Sequence, residues 1–200
     1  MKFASLLLLS VALTAAGQSK PEHNGVHLVL KTSLGEIEVE LDAARAPATT
    51  ANFLKYVDGG FYTNGRFHRT VKTHPDNQPT NQVKIEVIQG GADPVKEKTG
   101  FPPIALERTS KTGIKHVDGA ISIARDGPDT ATSDFFICVA DQPELDFGGK
   151  RNPDGQGFAA FGRVVRGMDI VKKIHAAPSK GQKLTPPVPI ISIVRKSVIK

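Results

Sequence analysis

A mainly β domain, a closed barrel of antiparallel strands capped by two α-helices, is the fold this sequence predicts. Three observations carry it. Short apolar or alternating runs recur at 27–30, 36–41, 83–89, 120–124, 134–140, 158–165 and 190–198, each the length of a strand. Nineteen glycines and fourteen prolines punctuate the chain, which breaks it into short elements. Only 47–57 and 168–175 read as helices, too few for the strand-helix alternation of a parallel sheet, so closure of the sheet on itself is favoured. With 200 residues, 39% of them hydrophobic, the chain suits one globular domain of the usual ~100–200 residues.

The elements follow in order. Residues 1–17 have the pattern of a secretory signal peptide: Lys2 gives a charged start, 3–13 an apolar run, and Ala15-Ala16-Gly17 a small-residue stop. That run falls short of the ~20 residues a spanning helix needs, so no membrane span is expected. Residues 18–25 read as a polar linker and 26–200 as the folded domain, which places the mature protein in the periplasm or outside the cell. Runs 27–30 and 36–41 flank Ser33-Leu34-Gly35 as a hairpin, the second alternating strictly. The first helix takes Pro47 at an early position, Thr49 or Thr50 as a cap, and Ala51, Leu54 and Val57 as its buried face, and it stops at Gly59-Gly60. Thr73-His74-Pro75-Asp76-Asn77-Gln78-Pro79-Thr80 is a polar, turn-rich segment, and Asp126-Gly127-Pro128-Asp129 is a turn without the alternating carboxylates of a calcium loop. Residues 147–157 read as a long flexible loop with no phosphate cradle. The second helix is stopped by Pro178.

Charge and special residues exclude several chemistries. The net charge of +6 is concentrated in 161–200, which holds nine Lys or Arg against one acidic residue. These charges are scattered without interleaved aromatics, so they read as a solvated face and no nucleic-acid partner is expected. Cys138 is the only cysteine and sits in an apolar strand, where a thiol is inert packing. His68, His74 and His116 lack the spacing of metal ligands, so neither metal nor other cofactor is expected.

Three runs carry the functional reading: Arg66-Phe67-His68-Arg69, Ile88-Gln89-Gly90-Gly91 and Ser133-Asp134-Phe135-Phe136-Ile137. In this order, and followed by Leu145-Asp146 and by Phe158-Ala159-Ala160-Phe161-Gly162-Arg163-Val164-Val165-Arg166-Gly167-Met168, they resemble the active-site signatures of cyclophilin-type peptidyl-prolyl cis-trans isomerases. The resemblance runs from about Gly25 to the C-terminus. It implies an eight-stranded barrel and an activity on X-Pro bonds in unfolded or flexible polypeptides.

Rotation about an amide is opposed by a resonance barrier of ~18–20 kcal/mol. Lowering it takes a pocket for the pyrrolidine ring, anchors on the flanking chain, and a donor for the prolyl nitrogen as it pyramidalises, with no nucleophile or metal. The resemblance assigns the donor to Arg69, whose guanidinium stays charged and offers a rigid fork of N–H groups. It assigns the pocket floor to Phe136, a backbone anchor to Gln89, and the groove lining to Val87, Ala124, Leu145 and Phe158. Alternation agrees for Phe136, since it sends Phe135 and Ile137 to one face and Phe136 and Cys138 to the other.

The chain also departs from the family. Counting back from Gln89 puts Glu86 where a pocket phenylalanine is common. Phe158 stands where many members have histidine, and Glu144 where many have tryptophan, whose loss leads to the expectation that cyclosporin binds only weakly. Nineteen residues, Thr70 to Ile88, separate Arg69 from Gln89 where relatives usually have fewer, an insert expected to rim the groove. The alternative reading is a cyclophilin-fold module that holds proline segments with little turnover.

Overall fold

A computed structural model describes residues 25–196. The signal peptide, most of the linker and the last four residues of the domain lie outside the described residues. Nine strands pair in antiparallel fashion: β1 (Val26–Thr32), β2 (Gly35–Leu41), β3 (Gly65–Val71), β4 (Val87–Gly91), β5 (Ala120–Ile123), β6 (Phe135–Cys138), β7 (Ala159–Arg166), β8 (Ser179–Lys180) and β9 (Lys183–Arg195). Their order, β1-β2-β7-β5-β6-β4-β3-β9, closes where β9 pairs back onto β1. Eight strands thus form the barrel, and β8 is a two-residue hairpin on β9.

Closure follows from the period-2 pattern. Leu30 sits opposite Ile37 on β2 and Ile193 on β9, and all three point into the barrel beside Leu28, Val39 and Leu41. Each such side chain taken from water contributes ~1.5–3 kcal/mol. Phe53, from α1 (Pro47–Asp58), completes the filling, its ring lying 5.1 Å from Tyr62, 5.4 Å from Phe135 and 5.2 Å from Phe161. Ile170, Val171 and Ile174 of α3 (Met168–Ala176) join the same cluster. A single helical turn, α2 (Thr109–Thr112), adds a third helix to the two expected.

Several local expectations are corrected. The buried face of α1 carries Phe53, Tyr56 and Val57 with Asn52, Thr49 and Thr50, whereas Ala51 is exposed and Leu54 half-buried. Aromatic rings, not the smaller aliphatic residues, turn this helix toward the core. Neither threonine caps it. Ala46 precedes Pro47, and the Glu107 carboxylate accepts from Ala48 N (3.0 Å), Thr49 N (2.7 Å) and Thr49 Oγ1 (2.6 Å), a cap supplied from a distant loop.

The run at 83–89 becomes a strand only from Val87, because Lys84 and Ile85 are bonded into the insert. β9 begins at Lys183, well before residue 190. β3 was not expected as a strand, and its bulge explains why. Register shifts between Phe67 and Arg69 in both of its ladders, so the alternation breaks at the motif.

The basic C-terminal segment lies on the outer surface and finds partners there. Arg166 and Lys196 both reach Glu38, Arg163 reaches Glu40, and Arg195 makes two bonds to Asp58. Among the described residues, no helix is long and apolar enough to cross a membrane.

Candidate active site

A groove of about 480 Å³ opens on the outside of the barrel where β3, β4, β5 and β6 lie side by side. All seven residues singled out in the sequence line it: Arg69, Val87, Gln89, Ala124, Phe136, Leu145 and Phe158. Alternation on β6 accounts for the division of labour. Phe135 is fully buried against Phe53, Tyr62 and Phe67, whereas Phe136 belongs to a second apolar cluster with Val71, Ile85, Val87, Ala120, Cys138 and Leu145. Phe158 meets Phe136 edge-on at 5.2 Å.

Beneath Phe136 lies a buried polar set. The His116 ring stacks on Phe136 at 5.8 Å, its Nδ1 lies 2.8 Å from Asp146 Oδ1, and its Nε2 lies 3.0 Å from Ser122 Oγ. Burial would raise the Asp146 pKa, but bonds from the His116 ring and backbone N–H hold it below the usual value. Ser122 and His116 are closed off from solvent, so this Ser-His-Asp set has no access to a substrate. It fixes the ring that floors the pocket. Burial likewise pushes the Cys138 thiol far above its ordinary pKa.

Arg69 is placed by the β3 bulge and by three polar side chains that form a row with it. Asp134 Oδ2 accepts from Gln89 Nε2 at 3.0 Å, and Gln89 Oε1 accepts from Arg69 Nη1 at 2.8 Å. Gln182 Oε1 accepts from Arg69 Nε at 2.9 Å and from Nη2 at 2.6 Å. Burial lowers the Arg69 pKa, yet a guanidinium remains charged throughout the working range. Both of its partners are neutral amides, so the charge is oriented without being cancelled. Gly91 permits the row, because a Cβ there would lie 1.9 Å from Asp134 Oδ1.

Residues 27–195 match the family model for the cyclophilin type peptidyl-prolyl cis-trans isomerases. The chain belongs to the cyclophilin family. It is 36% identical over 167 residues to peptidyl-prolyl cis-trans isomerase A of Dickeya dadantii, covering 82% of this chain and 78% of that one. It is 34% identical over 170 residues to peptidyl-prolyl cis-trans isomerase B of Escherichia coli, covering 84% and 94%. A crystal structure of a cyclophilin from Cryptosporidium parvum superposes with a TM-score of 0.69 at 24% identity, over 87% of this chain and 99% of that one, which speaks to the fold. A second crystal structure of that protein, determined in the presence of the dipeptide Ala-Pro, gives 0.67.

Within this cyclophilin the departures take definite positions. Glu86 does not line the groove, because its carboxylate turns away to accept from Thr73 N at 3.3 Å and Thr73 Oγ1 at 2.7 Å. Ile85 lines the groove instead and keeps that wall apolar. Glu144 also stays out of the lining and accepts from Lys150 N at 2.7 Å.

The insert is tied down by Gln78, which is buried and bonds Lys72 O and both polar groups of the Ile85 backbone. It contributes Asn81 and Ile85 to the groove. The loop at 147–157 is closed on itself by Gly148 N to Gly155 O and held by Arg125 on Asp154. The three histidines stand apart: His68 beside Asp134, His74 beside Thr73, and His116 beneath Phe136.

Ile85, Gln182, Arg151 and His116 have places at the site that sequence reasoning did not assign. Gln182 lies 113 residues from Arg69, and a contact that distant leaves no local pattern. Ile85 was hidden by counting back from Gln89 as though the strand continued.

Proposed function

We propose that this cyclophilin catalyses cis-trans isomerisation of X-Pro bonds in unfolded or flexible polypeptides, and that it does so on proteins exported from the cytoplasm. The observation that carries the reading is a part-buried guanidinium held by two amide oxygens, with no carboxylate partner among the described residues, beside the apolar cluster around Phe136. Phe136, Val87, Leu145, Ala124 and Phe158 receive the pyrrolidine ring, Gln89 anchors the flanking backbone, and Arg69 donates to the prolyl nitrogen as the amide twists. One charge-assisted hydrogen bond nets ~1.5–3 kcal/mol, or about one to two decades in rate, and holding the chain in place supplies the remainder. Uncatalysed isomerisation takes tens to hundreds of seconds, which gives newly exported chains a use for such an enzyme.

Two substitutions test the assignment. Arg69→Ala lowers turnover by roughly one to three decades while peptide affinity changes far less, because the bond forms mainly in the transition state. Phe136→Ala lowers affinity and rate together, since ground and transition states lose the same apolar contact. Exchange NMR at saturating proline peptide reads both quantities in one sample. A bound peptide that interconverts no faster with Arg69 than with alanine marks a binding module instead.

Weak cyclosporin binding belongs to the same reading. Glu144 gives the macrocycle neither an aromatic face nor an indole donor, so Glu144→Trp tightens inhibition. Strong inhibition of the unaltered protein contradicts it.

A further inference from the structure

We propose that Arg151 makes this groove selective for X-Pro segments that carry a side-chain carboxylate near the proline, on the side of the segment lying toward the insert. The inference rests on the isomerase reading and adds a substrate class to it. Three guanidiniums line the groove, those of Arg69, Arg125 and Arg151. Arg125 is answered: Asp154 accepts from it at 2.8 and 3.0 Å, and Gly157 O takes two more bonds. Arg69 is committed to Gln89 and Gln182.

Among the described residues, Arg151 differs from Arg125 in having no carboxylate partner, and from Arg69 in leaving its Nε and one whole Nη group unbonded. Its Nη1 donates to Gln78 Oε1 at 2.9 Å and to Val83 O at 2.6 Å, and these are neutral acceptors. Among the described residues no carboxylate pairs with it, and its Nε and Nη2 hydrogens make no bond. Burial and the charge of Arg69 together lower its pKa, so the two cations sense one another across the groove. A partly desolvated guanidinium with spare donors and no counter-charge is matched by a carboxylate, which takes two parallel N–H bonds from it.

The groove has two unlike ends, with β4 as the ruler. Arg151 is bonded to Val83 and Gln78, beside Ile85, ahead of Val87. Gln89 and Arg69 stand in the middle. Beyond them Asp134 lies against Gly91, and Glu97 and Asp126 line that far end. A segment laid along this line meets an unanswered cation at one end and carboxylates at the other. An acidic side chain is therefore favoured in one direction from the proline and repelled in the other.

The test uses acetylated, amidated Ala-Pro peptides carrying Asp, Asn or Lys either two residues before or two residues after the proline. Exchange NMR at low salt gives kcat/KM for each. At one of the two positions Asp exceeds Asn by roughly five- to tenfold, and Lys falls below Asn. Arg151→Gln brings the Asp:Asn ratio near one, Arg151→Lys keeps part of it, and added salt shrinks it. A purely structural role in seating the 147–157 loop lowers both peptides alike and leaves the ratio standing.

A ratio near one at both positions in the unaltered protein, or a ratio that survives Arg151→Gln, overturns the inference. So does an Asn peptide with a free C-terminus that gains as much as the amidated Asp peptide, since the site then reads chain ends. If even the neutral peptide is not isomerised, the isomerase reading itself fails. Neutral turnover without acid preference removes this inference alone.

Discussion

Asp134 shows how a single carboxyl can serve the site while costing the fold. Burial raises its pKa, as do the nearby charges of Glu97 and Asp126, against the opposing effects of His68 and the Gln89 bond. The folded protein therefore keeps this proton at pH values where the unfolded chain has released it. Between the ordinary aspartate value, ~3.9, and the raised folded value, the native state binds more protons, so stability falls as pH rises through that window. Carboxyl NMR should place the Asp134 midpoint above that of an exposed aspartate. Asp134→Asn should flatten the fall in urea midpoint across the same window; an unchanged slope would show that another group causes it. Its Oδ2 accepts the Gln89 amide, and through that amide it orients Arg69.

At the scale of elements, long-range capping organises α1. Glu107→Ala removes the acceptor for three donors and leaves the buried Thr49 N–H and hydroxyl unmatched, at a cost of about 1–3 kcal/mol in denaturant unfolding. Glu107→Gln should cost less, because one carbonyl oxygen remains to accept. A midpoint unmoved by Glu107→Ala would mean that water replaces the carboxylate there.

The same element separates what was legible in the chain from what was not. Pro47 and the glycines after Asp58 bound the helix locally, and its extent could be read; its cap is 58 residues away and left no trace. The hairpin of β1 and β2 was legible because β2 alternates strictly and the seven facing pairs keep one register around Ser33 and Leu34. β3 was not, because its bulge and its polar residues at 66, 68 and 69 break the period. At the site, residues within the three motifs were readable, whereas Gln182, which bonds Arg69, and Arg151, which lines the groove, arrive only through the folded path of the chain.

For the whole molecule, the outer charge and the lone thiol bear on where this cyclophilin works. Its surplus of basic residues is met in part by ion pairs to Glu38, Glu40 and Asp58. Cys138 is buried and its thiol is held protonated, and with one cysteine in the chain no internal bridge can form. No internal disulfide can therefore add to the stability of the barrel, and thermal melting should be the same with and without reductant. The proposed export rests on the signal pattern of residues 1–17. N-terminal sequencing of material from the native host should begin near Gln18, in the periplasmic or secreted fraction. Recovery of the soluble cytoplasmic protein still beginning at Met1 would instead place its clients among chains folding inside the cell.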